Sequence, residues 1–186
     1  MGMQYPEITD QQIELISQQK IFFVGTAADT GSVNVSPKGM DSLKVINNKQ
    51  VAWLNLTGSG NETSAHVQIN PRMTIMFCAF DGRPIILRLY GKARVLHQAD
   101  AQWDEYISLF PVTPGSRQIF ILEVESTLSS CGTAVPLYEY VEDRDALNKF
   151  SEKQGPKGTE KYWKLKNQQS LDGFPTNIVA LSGLDE

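Results

Sequence analysis

Cysteine is scarce in this chain: Cys78 and Cys131 are the only two. They are too few for a disulfide framework and match no metal-ligand spacing, so no metal is expected. A reducing cytoplasm is the expected location. No apolar run approaches membrane-spanning length, and Met1-Gly-Met-Gln-Tyr-Pro6 lacks the charged and apolar regions of a signal peptide. Asn55-Leu-Thr57 and Asn61-Glu-Thr63 therefore match the glycosylation pattern in form only. Positive charge is lacking too. A net charge of −4 leaves no surplus of Lys and Arg for phosphate contacts, which excludes a nucleic-acid partner. The densest basic stretch, Lys153, Lys157, Lys161, Lys164 and Lys166, shares its region with Glu152 and Glu160 and reads as a solvated helix face. Internal repeats and low-complexity segments are absent.

What is present is ordinary for a folded protein, with 41% hydrophobic and 20% charged residues. The 186 residues fit a single domain, 1–186, able to bury a core. Thr9-Asp-Gln-Gln12 forms a capping box with Ile8 and Ile13 as its staple, predicting a helix to about residue 18 that buries Ile13 and Ile16. Residues 21–27 and 32–36 flank Asp29-Thr-Gly31, a hairpin signature, and Asn47-Asn48 joins residues 43–46 to 51–56 in a second. Further strands are expected over 73–80, 85–96 and 118–124. Helices are expected over 100–110, 143–154 and 159–165. Strands linked mostly by hairpins, with interrupting helices, predict a mainly β (α+β) fold. A six-stranded antiparallel split barrel with short peripheral helices fits the pattern, although periodicity alone does not separate a barrel from a sandwich. The barrel core spans about 21–126 and a C-terminal helical extension about 141–186.

The most informative stretch is Val51-Ala-Trp-Leu-Asn-Leu-Thr-Gly-Ser-Gly-Asn-Glu-Thr63. An apolar strand breaks at Gly58 and Gly60 and restarts as a short segment that stops at Asn70-Pro71. Glycine lets backbone N–H groups approach a ligand, and a helix start leaves several of them unpaired. Together they make an anion site, most often for phosphate. Ser36-Pro-Lys-Gly39 supplies a cation on another turn. The alternative is that the glycines only turn the chain and Asn61 only caps the helix. A dinucleotide fold is a further alternative, with Asp81 about twenty residues on as the ribose acid. Against it stand Thr63 in place of a third glycine, a helix of barely two turns, and no further βαβ units.

Four motifs, Val35-Ser-Pro-Lys-Gly-Met40, Leu56-Thr-Gly-Ser-Gly-Asn-Glu-Thr63, Asn70-Pro-Arg72 and Leu87-Arg-Leu-Tyr-Gly-Lys-Ala93, occur in this order. The ordered set resembles the pyridoxamine 5′-phosphate oxidase-like family of FMN-binding split barrels, over about residues 21–124. Ser130-Cys-Gly132 with Val135-Pro136, and Lys166-Asn167 with Ser170-Leu-Asp-Gly173, resemble an uncharacterised branch of it. The resemblance implies a homodimer with FMN in each of two clefts between subunits. It implies an oxidoreductase whose substrate and electron acceptor are unknown. A flavin-binding module that stores or senses the cofactor without turnover is the alternative, and an NAD(P)-binding protein a minor one.

Carried over residue by residue, the resemblance puts Lys38 where the oxidases hold the flavin phosphate with an arginine, so the charge survives and the bidentate fork is lost. Lys44 matches a second family lysine, and Trp53 and Leu54 run beside the flavin. Gly39 and the backbone around Met40, Asp41 and Ser42 face the pyrimidine edge, and Arg88 lies on the family's central strand. At the helix start the oxidases carry Ser-Arg-Lys. This chain has Asn61-Glu62-Thr63, after Gly60, so two phosphate-binding cations are missing. A carboxylate ~4 Å from a phosphate repels it by on the order of 1 kcal/mol even in water. Glu62 is therefore expected either to face the helix's own N–H groups or to mark a cleft for another ligand. His66 is expected to pair with Glu62 at the surface. Cys78 is expected to fill the core and Cys131 to lie on an exposed turn. No catalytic residue and no substrate-phosphate residue is recognisable, so fold alone does not license pyridoxamine phosphate oxidation.

Overall fold

The computed structural model describes residues 2–184. A short strand, β1 (Met3–Tyr5), precedes helix α1 (Asp10–Gln18), whose capping box forms as expected: Thr9 Oγ1 accepts from the Gln12 N–H and Gln12 Oε1 from the Thr9 N–H. Ile16 is buried in the core, with Ile13 partly buried against it, while Gln12 turns inward to Thr127 and Ser129. The hairpins β2 (Phe22–Thr26) with β3 (Asn34–Lys38), and β4 (Leu43–Asn47) with β5 (Gln50–Leu56), sit where the turn residues predict. Helix α2 (Glu62–Ile69) leads into β6 (Arg72–Cys78), β7 (Ile85–Leu96), α3 (Trp103–Ile107) and β8 (Ser116–Cys131). The chain ends with α4 (Ala146–Lys166) and α5 (Ile178–Leu181).

Every strand pairing given for the described residues is antiparallel, in the order β3-β2-β6-β7-β8-β5-β4, with β1 on the far half of β8. The dinucleotide alternative needs parallel βαβ units, and α2 joins β5 to a strand that pairs instead with β2 and β7. The two ends of this order, β3 and β4, are consecutive in the chain. Only residues 39–42 connect them, a link that reaches at most about 18 Å. A flat sheet of seven strands would separate its edges by about 28 Å. The sheet must therefore curl, and because β3 and β4 do not pair it remains a split barrel. Met40 (φ 63) and Asp41 (φ 51) make the link in left-handed backbone that non-glycine residues rarely adopt.

The barrel interior holds Phe22, Trp53, Phe77 and Phe120 with Val24, Ile75, Leu87 and Leu89. Trp53 stacks on Phe120 with ring centroids 4.7 Å apart and meets Phe22 edge-on at 6.3 Å. Burying each such side chain contributes roughly 1.5–3 kcal/mol. Leu54, one residue on, faces the opposite side of β5 and packs with Tyr106, Phe110 and Ile121, where Trp103 and Ile107 of α3 also lean.

The sheet has eight strands rather than six. β1 is too short to leave a sequence pattern and exists because β8 pairs with it. β8 runs to Cys131, past the expected end at 124, because β7 and β1 continue its ladders. The helix expected over 100–110 forms only at Trp103–Ile107, since Asp100 is spent on a turn in which its carboxylate accepts from the His97 N–H. The two expected C-terminal helices both form within α4, separated by the non-helical backbone of Gly155 (φ 62, ψ 177) just before Pro156.

Between Tyr90 and Gly91 the β7–β8 register shifts by one residue, and the Gly91 Cα lies against the backbone of β8. A Cβ there would collide with the Glu123 carbonyl oxygen. Gly91→Ala should lower unfolding stability by about 1–3 kcal/mol. Gly25→Ala, whose Cβ would meet Thr74 only at ordinary contact distance, should cost less. Urea denaturation of the two variants checks this.

Candidate functional site

The turn between β5 and α2 is built from behind. Arg117, at the start of β8 and only 3% exposed, donates from Nη1 to the Gly58 carbonyl (3.0 Å) and from Nη2 to the Gly60 carbonyl (2.7 Å). Asn167 Nδ2 donates to the Gly58 carbonyl as well (2.9 Å), and Asn61 Nδ2 to the Ser59 carbonyl (3.1 Å). All three carbonyls of residues 58–60 are thus held. Because a trans peptide points its C=O and N–H in opposite directions, the N–H groups of Ser59 and Gly60 turn the other way. Helix α2 follows at once, with no side-chain cap, so its first N–H groups add to the same donor surface.

Strand β3 faces this surface. Its residues alternate, so Asn34, Ser36 and Lys38 share one half-buried face. Asn34 Nδ2 donates to Thr63 Oγ1 (3.2 Å) on α2, and Ser36 Oγ donates to Asn34 Oδ1 (3.1 Å). Lys38 Nζ lies over the Trp53 ring, 4.9 Å from its centroid. Burial, and after it the Arg117 charge, bring the Lys38 ammonium down from 10.5 to about 8, against a smaller upward pull from Glu62. Burial likewise lowers Arg117 to about 10, with Tyr162 and Glu62 pulling the other way. Both remain cations at neutral pH. Two positive groups therefore face one carboxylate, an arrangement suited to an anion.

Glu62 takes up backbone donors, but they are the N–H of Asn61 just ahead of α2 and that of the distant Leu171 rather than the N–H groups within the helix. Its Oε2 accepts from the Asn61 N–H (3.0 Å) and its Oε1 from the Leu171 N–H (3.2 Å). Asn61 does not cap α2 with its side chain, which spans Ser59 and the Lys166 carbonyl instead. Gly60, Asn61, Glu62, Thr63 and Lys38 thus form one group with Asn34 and Arg117.

The other expected residues gather elsewhere. Gly39, Asp41, Ser42 and Lys44 line a cleft of about 240 Å³ between the β3–β4 link and α1, with Phe22 and Phe77 at its base. Met40 is the neighbouring residue of that link. Ser42 Oγ donates to the Gly39 carbonyl (2.6 Å), and Lys44 is paired with Asp41 (2.7 Å). Trp53 is buried beneath Lys38, and Leu54 faces away from it. Arg88 stands on the face of β7 opposite Leu87, three strands from β3, and donates to Ser130 Oγ (3.3 Å). Ser130 and the exposed Cys131 belong to a wider cleft of about 910 Å³ between α1 and the β6–β7 turn. Within one subunit Arg88 does not join the Lys38 group.

His66 is not at the surface. Almost every side of α2 is covered, and His66 is fully buried with Nδ1 at 3.2 Å from Thr26 Oγ1 and its ring edge-on to Phe174. Below α2, Gln118 bridges Ser64 Oγ (2.9 Å) and His97 Nε2 (2.8 Å). Burial drives His97 to about 4, so its imidazole is neutral and Nε2 accepts. Sequence reasoning missed Arg117 and Asn167. A signal existed for Arg117, which lies in phase with the buried Ile119 and Ile121; for Asn167 there was none beyond its motif.

The family model for pyridoxamine 5′-phosphate oxidase matches residues 8–131, about two-thirds of the chain. This chain belongs to that family. Among its relatives, the pyridoxamine 5′-phosphate oxidase family protein ustO of Aspergillus flavus is 34% identical over 193 residues, covering 94% of this chain and 78% of that protein. Two solved structures are similar in fold. A putative pyridoxamine 5′-phosphate oxidase from Lactobacillus delbrueckii has a TM-score of 0.52 at 17% identity, over 66% of this chain and 94% of that one. HupZ of Group A Streptococcus has a TM-score of 0.51 at 20% identity, over 63% and 90%. The family match spans α1 to β8, while Trp163 and Asn167, which brace the glycine turn, lie beyond it.

The low folded-state value at Lys38 has a consequence for stability. Between about 8 and 10.5 the unfolded chain holds a proton on Lys38 that the folded chain has released. Stability must then rise with pH across that window. Urea unfolding of Lys38→Met should lack this part of the rise, so the unfolding free energy of wild type minus that of the variant should become more positive from pH 7 to pH about 10.5.

Proposed function

We propose that this protein, as one unit of residues 1–186, binds FMN as a homodimer and is an oxidoreductase of unknown substrate. The observation that carries this reading is the glycine turn whose three carbonyls are held from behind while its N–H groups are left for an anion beside Lys38. Membership of the pyridoxamine 5′-phosphate oxidase family supports a flavin as the molecule bearing that anion. The residues present fit a phosphate. Cations outnumber carboxylates two to one, and Glu62 is occupied by two N–H groups rather than free to repel.

In this reading Lys38 and the backbone N–H groups of Gly60, Glu62 and Thr63 hold the phosphate, Asn61, whose own N–H is taken by Glu62 Oε2, shapes the turn through its side chain, and the Thr63 hydroxyl, fixed by Asn34, lines the same site. Trp53 carries Lys38 on its ring face and Leu54 anchors the strand from its other side. Gly39, Met40, Asp41, Ser42 and Lys44 form the wall for the ring system, where the Lys44 charge would stabilise negative charge. Arg88 lies three strands from β3 in the same chain, so in the homodimer reading it would reach the flavin only from the second subunit. FMN, when bound, supplies two-electron redox chemistry; the protein supplies position, charge and exclusion of water.

The purified protein is expected to be yellow and to release a nucleotide with the mass of FMN; a colourless protein that takes up no added FMN would overturn the reading. FMN affinity should fall as pH rises through about 8, because the bound anion favours the protonated Lys38, and Lys38→Met should flatten that dependence. A storage or sensing module is separated from an enzyme by photoreduction without oxygen. An enzyme reoxidises with some acceptor faster than free FMN does, and a module with none.

A further inference from the structure

We propose that the segment following α4, through Asn167 and the backbone of Leu171, is part of the phosphate site and sets the preference for a phosphorylated flavin. This rests on the FMN reading above. Asn167 is fully buried and reaches the glycine turn across 109 residues of sequence, donating to the Gly58 carbonyl (2.9 Å). Its own backbone carbonyl accepts from Thr176 Oγ1 (2.5 Å), which anchors the backbone from which the side chain projects. One turn earlier, Trp163 Nε1 donates to Thr57 Oγ1 (2.9 Å), and the Lys166 carbonyl takes the second Asn61 Nδ2 contact (2.9 Å). The segment thus orients the peptides of residues 57–61 from the side away from the open donors.

The same segment disposes of the one charge that opposes a phosphate. The Leu171 N–H holds Glu62 Oε1 while the Asn61 N–H holds Oε2, so both carboxylate oxygens are engaged. The Leu171 side chain is 82% exposed; the residue contributes its N–H rather than a packed group. It occupies the second place of a turn closed by the Gly173 N–H on the Ser170 carbonyl (3.0 Å). Asp172 ties that turn to the β2–β3 hairpin, accepting from the Ser32 N–H (2.7 Å) and Oγ (3.1 Å). Without this tether Glu62 would swing free at the mouth of an anion site.

The test is titration of the full-length, flavin-free protein with FMN and with riboflavin, which shares the ring and lacks the phosphate. Wild type is expected to favour FMN. Asn167→Ala should lose about tenfold in FMN affinity, the worth of one hydrogen bond at a positioned group, and keep its riboflavin affinity. Leu171→Pro removes the N–H together with an exposed side chain, at a turn position that proline suits, and Leu171→Ala controls for the side chain. Leu171→Pro should show the same selective loss, partly restored by adding Glu62→Gln. Leu171→Pro decides the matter if Asn167→Ala does not fold. Asn167→Ala and Leu171→Pro variants that keep the wild-type ratio of FMN to riboflavin affinity, or lose both ligands equally, overturn the inference and leave the FMN reading standing. A wild type that binds neither flavin removes both.

Discussion

The short link of residues 39–42 is the constraint on which this architecture turns. It joins the two strands at opposite ends of the sheet order, so the sheet has to bend until those ends come near each other. The left-handed backbone at Met40 and Asp41 is the local cost, on the order of 1–3 kcal/mol for each such residue. Curling brings the inner face of β3 opposite the β5–α2 turn, and Lys38 thereby comes to lie on the Trp53 ring. Strain of this kind persists where the surroundings fix it, and here they do: Ser42, Asp41 and Lys44 all bond within or beside the link.

A second dependence follows from the first. Buried carbonyls need donors, and the β5–α2 turn gets them from Arg117 and Asn167 rather than from its own strand. Among the described residues Arg117 meets no carboxylate by direct contact; its charge is spread over two peptide oxygens. That explains how a buried guanidinium persists beneath the turn, and how it strengthens the positive side of the site without facing a ligand. Lys38, half-buried on β3, is the counterpart on the open side, and Glu62 is restrained between two N–H groups. In the proposed site, Arg117 beneath the turn and an occupied Glu62 carboxylate stand where the resemblance led one to expect an Arg-Lys pair.

Much of the fold was legible. Period-two alternation and the turn residues Asp29-Thr-Gly31 and Asn47-Asn48 located both early hairpins, and Thr9 with Gln12 located α1. The eight strands and the full length of β8 were not legible, because β1 and the end of β8 are held by partners remote in sequence. His66 was misread for the same reason. Spacing of four residues from Glu62 says which helix face it shares, but not that Phe174 and Thr26 enclose it. Of the residues expected at an anion site, Lys38 and residues 60–63 come together, whereas Arg88 stands on another face.

By itself the sequence determined the local grammar: which runs are strands, where glycine and asparagine turn them, and that a glycine turn opens a short helix next to a lysine. Those features depend on neighbours a few residues apart, so they are written in the chain. Only the tertiary structure decided that Arg117 and Asn167 hold the turn's carbonyls, that Glu62 bonds to Leu171, and that Lys38 rests on Trp53. Each of these joins residues from separate elements, and nothing in either local pattern encodes the direction in which the other side will arrive.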